Sequence, residues 1–148
     1  MDIYTERLLI IPCTSENHIA FSESFKMGPH IEPYLDKLRN DSQMKGWGVW
    51  FVIRRDTNRI IGDVGFKGKP NNHNIVEIGY GIIPEAQNKG FGTEAVKGIL
   101  DWAFSFGQVD KVIAECLVEN KASIKVLEKL GMERIDSKDG MLYWELTQ

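Results

Sequence analysis

The residues from Gln87 to Gly92 form a short glycine-rich loop with the composition of an anion-binding site. The loop joins an apolar, strand-like run over residues 75–83 to a long amphipathic run that begins at Thr93. The glycines at 90 and 92 allow the backbone to approach a ligand closely. If a helix begins after the loop, up to about four backbone N–H groups lack a partner within it, and its dipole favours negative charge there. The pattern therefore predicts a phosphate-binding loop.

Other interpretations of these glycines compete with this prediction. A dinucleotide-binding fingerprint that begins at Gly79 is disfavoured, because Pro84 takes the place of its third small residue and no strand–helix–strand unit precedes it. No lysine of the chain precedes serine or threonine, so a Walker motif is excluded. Alternatively, Gly90 and Gly92 only relieve crowding where a helix packs on a sheet. The strand before the loop and the helical pattern after it favour the phosphate-binding interpretation.

The loop and its flanking motifs together resemble a known enzyme superfamily. The pattern Gln-x-x-Gly-x-Gly after a strand is similar to the acyl-CoA-binding signature of the GNAT N-acetyltransferase superfamily. The chain order around it is similar to the ribosomal-protein-alanine N-acetyltransferase (RimJ/RimL-like) branch. The motifs that carry this resemblance span nearly the whole chain and lie at Thr5–Leu8, Ile61–Gly62, Glu77–Tyr80, Glu94–Ala95, Asn120–Ser123 and Leu130–Met132.

The resemblance implies a fold and a coenzyme site. The implied fold is α+β, a three-layer α/β/α arrangement in which a mixed, mostly antiparallel sheet carries helices on both faces. The implied co-substrate is acetyl-CoA, which enters where two neighbouring strands splay apart, and its peptide-like arm can pair with main-chain groups as an added strand does. The expected coenzyme-binding residues are Ile82, Ile83, Gln87, Asn88, Lys89, Gly90, Phe91, Gly92, Thr93 and Asn120.

Transfer of an acetyl group to an amine requires a base near the amine and a proton donor for the departing thiolate. Glu77 is the candidate base, because it interrupts an apolar strand near Gly79 and Gly81, where we predict a bulge or break in the ladder. Alternatively, Glu77 only faces solvent on an alternating strand.

Ser123 is the candidate proton donor. Residues 120–131 contain no tyrosine, which many relatives use as the acid, and the RimL-like branch carries serine at this place. If Ser123 is only an early residue of its helix, Tyr143 or a bound water becomes the donor. Asn120 also has an ordinary explanation as the N-cap of that helix.

Hydrophobic periodicity predicts the elements that position these residues. Three strands joined by turns indicate an antiparallel meander, and the apolar run from Val109 to Val118 indicates a strand covered on both faces. The predicted strands lie near residues 7–11, 49–53, 60–66, 75–83, 109–118, 132–135 and 142–146, and the predicted helices near residues 15–21, 34–40, 93–106 and 120–130.

Length and composition limit the class of protein. With 148 residues, the chain matches one N-acetyltransferase domain over 1–148, and its 43% hydrophobic content excludes a disordered chain. A net charge of −3 without a basic stripe argues against nucleic-acid binding. We find no membrane-span or signal-peptide pattern and expect a cytoplasmic protein. Cys13, Cys116 and the three histidines fit no metal-binding spacing, so we predict no metal.

The sequence therefore predicts an acetyl-CoA-dependent N-acetyltransferase that acts by direct transfer in a ternary complex, because no cysteine lies near the glycine loop. The acceptor is a protein N-terminus or a small-molecule amine, and residues 19–47 would shape its site. The alternative is an acetyl-CoA-binding regulator or scaffold without transfer activity. The aromatic-rich closing segment also suggests a homodimer.

Overall fold

The computed structural model describes residues 1–147, which contain eight β-strands and four α-helices. The strands are β1 (Ile3–Tyr4), β2 (Leu8–Pro12), β3 (Val49–Arg54), β4 (Arg59–Phe66), β5 (Ile75–Ile82), β6 (Lys111–Leu117), β7 (Glu133–Lys138) and β8 (Met141–Thr147). The helices are α1 (Ser15–Phe21), α2 (Ile31–Asn40), α3 (Phe91–Phe104) and α4 (Lys121–Lys129).

All strands join one sheet in the order β1-β2-β3-β4-β5-β6-β8-β7. Every neighbouring pair is antiparallel except β5 and β6, which run parallel. Helices α3 and α4 pack on one face of the sheet, and α1 and α2 pack on the other. The predicted α+β, three-layer fold with a mixed sheet is confirmed.

The central strand β3 shows why both faces need a helix layer. Trp50 and Val52 point into the core under α3, whereas Phe51 points into the cluster under α2, and all three side chains are fully buried. Along α3, apolar residues recur every three or four positions, and Val96 and Ile99 are fully buried. Burial of a side chain such as Ile99 stabilises the fold by roughly 1.5–3 kcal/mol.

Strands β5 and β6 pair over only three residues each. Ile75–Glu77 pairs with Lys111–Ile113, and beyond this point β5 continues along β4 while β6 continues along β8. The two strands therefore diverge and leave a gap in the middle of the sheet. This is the splay that the resemblance implies.

The structure corrects one sequence prediction about strands in part and another in full. The β4–β5 register is regular from Gly62 opposite Ile82 to Phe66 opposite Ile78, so residues 79 and 81 form no bulge in that ladder. A break in pairing is present at these residues, but on the opposite edge of β5, where pairing with β6 ends at Glu77. Strand β6 alternates between buried and more exposed residues, because α1 and α2 pack around β3 and leave one face of β6 uncovered.

None of the helices within residues 1–147 is long and apolar enough to cross a membrane.

Candidate active site

A cavity of about 450 Å³ lies between the end of β5, the glycine loop and α4. We call it the loop cavity. All of the predicted coenzyme-binding residues line it except Ile83 and Lys89, and Ser123 lines it as well. It is also lined by residues that the sequence analysis did not select: Tyr80, Gly81, Ala86, Ala122, Lys125, Val126 and Lys129.

The glycine loop presents unpaired backbone donors to this cavity. Asn88 and Gly90 both adopt left-handed backbone angles, with φ of 63° and 83°, and Gly90 is the N-cap of α3. Within the described residues, no backbone N–H from 88 to 93 donates a hydrogen bond. Successive N–H groups in such a turn, at the start of a helix, form a concave anion-binding site.

The N-terminal segment holds the loop in place. Arg7 Nε donates to Glu94 Oε1 at 2.7 Å, and Arg7 Nη1 donates to the Lys89 carbonyl at 2.8 Å. The Thr5 hydroxyl also donates to Glu94, and the Arg7 guanidinium stacks 4.2 Å from the centre of the Phe91 ring. We call these residues the Arg7 latch. It gives the Thr5–Leu8 motif a physical role that sequence alone did not show.

The charge state of Glu94 follows from this latch. Partial burial opposes ionisation, but the hydrogen bonds from Thr5 and Arg7, together with the Arg7 charge, outweigh it and hold the pKa of the Glu94 carboxyl below its ordinary value. Lys89 belongs to the outer side of the loop, where its ammonium donates to the Glu85 carbonyl at 3.1 Å.

The main chain of β5 offers hydrogen-bonding groups to the gap at alternate residues. Lys67 N–H bonds to the Glu77 carbonyl, and Ile83 N–H bonds to the Ile61 carbonyl, both at 2.8 Å. Because bonded pairs alternate along an antiparallel ladder, the main-chain groups of Tyr80 and Ile82 point away from β4 and toward the gap.

The main-chain groups of Ile83, in contrast, do not face the gap as free hydrogen-bonding groups. Its N–H is used by β4, and its carbonyl accepts the Ala86 N–H at 3.0 Å. The Ile82 carbonyl accepts Gln87 Nε2 at 2.8 Å, which ties the loop to the strand. Sequence alone did not separate Ile82 from Ile83, because the alternation depends on the strand register.

The start of α4 forms the opposite wall of the loop cavity. Asn120 caps the helix, since its Oδ1 accepts the Ser123 N–H at 3.1 Å, and both residues line the cavity. The Tyr80 hydroxyl donates to the Ser123 carbonyl at 3.3 Å, and burial raises the pKa of Tyr80. Lys125 and Lys129 add positive charge and form no ion pair within the described residues.

A second cavity, of about 520 Å³, lies under α2 on the other side of β4 and β5. We call it the sheet cavity. His30 Nε2 lies 3.0 Å from Asp63 Oδ1 in its lining, and this hydrogen bond raises the pKa of His30 above its ordinary value of 6.5. Tyr80 and Gly81 line both cavities. The two cavities therefore adjoin at the end of β5, beside the gap.

The structure places the candidate base Glu77 outside the linings of both cavities. Its carboxylate pairs with Lys67 Nζ at 2.8 Å and is 28% exposed. His30 and Asp63 were not among the residues predicted from the sequence. Asp63 interrupts an apolar strand just as Glu77 does, so that signal was present, but its pairing with His30 depends on how α2 packs.

Neither cysteine lines the loop cavity or the sheet cavity. Cys13 and Cys116 are buried free thiols, and burial, followed by the nearby Asp63 and Glu32 charges, raises the pKa of Cys13 to about 12. Such a thiol is a poor nucleophile. In the described part of the chain, no group of three or more His, Cys, Asp and Glu side chains is placed to hold a metal ion.

Comparison with known proteins establishes the family. The model of the acetyltransferase (GNAT) domain matches residues 10–133, and the chain belongs to this family. It is 33% identical over 110 residues to the uncharacterized N-acetyltransferase YjdG of Bacillus subtilis (strain 168), an alignment that covers 74% of this chain and 64% of that protein. Two further curated relatives are matched over 50% and 56% of their own lengths, so the chain spans about half to two thirds of these relatives.

Solved structures share the fold over the whole chain. A GNAT-family acetyltransferase from Bacillus anthracis is 26% identical with a TM-score of 0.73, and the match covers 99% of this chain and 98% of that one. RimL, a ribosomal α-N-protein acetyltransferase in complex with coenzyme A, is 13% identical with a TM-score of 0.78, and the match again covers 99% and 98%. At 13% identity, this second match shows the fold alone.

Proposed function

We propose that this protein is an acetyl-CoA-dependent N-acetyltransferase that transfers the acetyl group directly to a primary amine, on a protein N-terminus or a small molecule. The observation that carries the proposal is that the loop cavity and the sheet cavity share Tyr80 and Gly81 beside the splayed strands. Two substrates bound on opposite sides of the sheet would meet there.

The loop cavity suits acetyl-CoA. Its unpaired N–H groups from 88 to 93 would hold the pyrophosphate, and Lys125 and Lys129 would add attraction for the phosphates. The main-chain groups of Tyr80 and Ile82 would pair with the amides of the pantetheine arm, which leads the thioester toward the shared end of the two cavities.

The sheet cavity suits the amine. The His30–Asp63 pair would accept a proton from the attacking amine, because an imidazole held by a carboxylate is a base near neutral pH. Glu77 stays the alternative base predicted from sequence, and it would act only through water or after release from Lys67.

The proposed chemistry is a single displacement at the thioester. The amine nitrogen attacks the acetyl carbonyl carbon, the C–N bond forms, the C–S bond breaks, and the electron pair of the C–S bond leaves with sulfur. The sulfur then takes a proton from the Ser123 or Tyr80 hydroxyl. The high pKa of Cys13, and the position of both cysteines away from the cavities, support this route over an acetyl-cysteine intermediate.

Initial rates measured against both substrates test the direct route. A ternary-complex mechanism predicts intersecting lines, whereas parallel lines or acetyl label retained on a cysteine would contradict it. Tight acetyl-CoA binding without turnover over a wide amine panel would favour the alternative, a coenzyme-binding regulator. A cytoplasmic location, the absence of a nucleic-acid partner and a homodimer stay predictions from sequence.

A further inference from the structure

Helix α2 runs alongside β4 above the sheet cavity, and a polar side-chain contact marks each end of this alignment. At the start of the helix, His30 lies 3.0 Å from Asp63 on β4. Just beyond the end of the helix, Asp41 accepts a hydrogen bond from Lys69 Nζ at 2.5 Å. The start of α2 therefore lies next to Asp63 on β4, and its end lies next to Lys69, which follows β4 in the chain.

The middle of the helix fits the same alignment. A β-carbon at Gly48 would meet the Tyr34 ring at 2.0 Å, so Tyr34 lies directly over Gly48, and a β-carbon at Gly65 would meet the Gly48 carbonyl oxygen at 1.9 Å. Lys37 follows Tyr34 by about one helical turn, and Lys37 and Lys67 both line the cavity. Lys37 lies seven positions after His30, the N-cap of the helix, which corresponds to a rise of about 10 Å along the helix axis.

The floor between these two levels is open backbone. Gly81 lies opposite Asp63 on the adjacent strand, and a β-carbon there would meet nothing within 4 Å. At Gly79, a β-carbon would meet only the end of the Lys67 side chain, at 3.6 Å. An extended acceptor chain therefore has room to lie along this floor.

The two ends of the cavity differ in charge. At the end next to the gap, Asp63 supplies a carboxylate that is 16% exposed and attracts an ammonium group. At the other end, Lys67 is neutralised by Glu77, whereas Lys37 forms no ion pair within the described residues. Lys37 therefore supplies a positive charge from a helix position that lies about 10 Å along the helix axis from His30.

We infer that the acceptor is zwitterionic: a primary amine bound at the His30–Asp63 pair, on a chain that carries a carboxylate about 10 Å away, at Lys37. This inference rests on the proposed function and specifies its substrate class. Both an ω-amino acid and a peptide N-terminus with a nearby acidic side chain have this chemistry.

The test compares acceptors that differ only in the distant charge. The probes are 8-aminooctanoic acid against 8-aminooctanamide, and two amidated tripeptides that carry glutamate or glutamine at the third position. We expect kcat/KM to be about threefold to tenfold higher for the charged member of at least one pair, because a charge pair at a cavity rim is only partly screened. The pair whose charged member gives the higher kcat/KM shows whether the acceptor is an ω-amino acid or a peptide N-terminus. Added salt should reduce the preference for the charged member.

Lys37→Gln should abolish the preference by lowering kcat/KM for the charged probe alone, and Lys37→Arg should preserve it. Lys26→Gln makes the same charge change at an exposed site outside both cavities and should have no effect. Equal kcat/KM for both members of each pair overturns the inference, as does an enzyme that acetylates other amines but none of the four probes.

If no amine at all is acetylated, the proposed function fails separately. The inference is then decided by equilibrium binding of 8-aminooctanoic acid. Weaker binding to Lys37→Gln than to the unmodified protein supports it, and equal binding overturns it.

Discussion

Asp63 and Glu77 are two carboxylates on neighbouring strands, and their surroundings give them different roles. Asp63 lies opposite Gly81, beside the shared end of the two cavities, and contacts an imidazole. Glu77 lies where β5 still pairs with β6, and it contacts an ammonium group. A carboxylate that contacts a histidine makes the imidazole more basic, whereas the charge of a carboxylate paired with lysine is already neutralised. We therefore favour His30 and Asp63 for proton removal.

This assignment predicts a specific pH dependence. The hydrogen bond to Asp63 raises the pKa of His30 above 6.5, so the imidazole becomes a neutral base only above that pH. In a pH profile of kcat/KM, activity should rise with pH through an acid limb above 6.5. Asp63→Asn should move that limb to lower pH and reduce the plateau by about a hundredfold.

Glu77→Gln is the matched control for this experiment. It removes a carboxylate from the same sheet face and should leave the acid limb of the profile in place. If the acid limb of the kcat/KM profile is unchanged in Asp63→Asn, or is lost only in Glu77→Gln, Glu77 is the base instead.

The proton donor can be assigned by comparing Ser123 and Tyr80, two hydroxyl-bearing residues that both line the loop cavity. Ser123→Ala should lower kcat by about tenfold to a thousandfold if Ser123 serves the thiolate, with acetyl-CoA affinity and stability nearly unchanged. Tyr80→Phe should have this effect instead if the phenol is the donor. Single-turnover rates at saturating substrates distinguish the two outcomes, and full activity in both variants would leave the role to water.

The loop between β5 and α3 depends on its two glycines for different reasons. Gly90 has a φ of 83°, which other residues rarely adopt, so its role is conformational. Gly92 has a helical position, and a β-carbon there would make only ordinary contacts, with Val126 at 3.6 Å and Ile82 at 3.7 Å. Its role is to leave space in the loop cavity.

Gly92→Val should therefore block the coenzyme without unfolding the protein. The β-carbon fits, but the two methyl groups enter the space assigned to the pyrophosphate, and we expect acetyl-CoA affinity measured by calorimetry to fall at least about tenfold, or 1.4 kcal/mol. Lys97→Val places the same side chain on the exposed part of α3 as a control. Equal acetyl-CoA affinity in a folded Gly92→Val protein would contradict the assignment of the loop cavity.

The Arg7 latch makes a prediction about stability. The depressed pKa of Glu94 means that its contribution is present above the unfolded-state value, near 4.5, and is lost as pH falls through the lower folded-state value. Glu94→Gln should lower the free energy of unfolding at pH 7 by roughly 1–2 kcal/mol. It should also weaken the acid-induced loss of stability.

Urea titrations at pH 7 and pH 4 measure both effects. Glu128→Gln is the control, because Glu128 is exposed on α4 and forms no ion pair within the described residues. If Glu94→Gln behaves like Glu128→Gln at both pH values, the latch does not stabilise the fold.

The sequence was informative where the chemistry is local. The loop residues 87–92 other than Lys89, the Asn120 cap and the apolar stripe of α3 are set by short-range patterns and lie where those patterns indicated. Features that depend on long-range packing were missed. The His30–Asp63 pair joins residues 33 positions apart, and the Arg7 latch joins residues 87 positions apart.

At the scale of the whole molecule, the active-site proposal depends on one feature of the sheet. If β5 and β6 paired along their full lengths, Tyr80 and Ile82 would use their main-chain groups in the ladder and the loop cavity would close. The short parallel pairing therefore links the fold of the GNAT family to the coenzyme site that we propose. Helix α2 then covers the other side of the sheet and forms part of the site that we propose for the amine.

The central claim is that coenzyme and amine react across this gap. The most direct measurement follows free thiol and acetylated amine together when the protein is mixed with acetyl-CoA and a panel of primary amines. The account predicts one thiol released for each amine acetylated, with both products lost in Gly92→Val. Thiol release without an acetylated amine, or no turnover of any amine by a protein that binds acetyl-CoA, would contradict it.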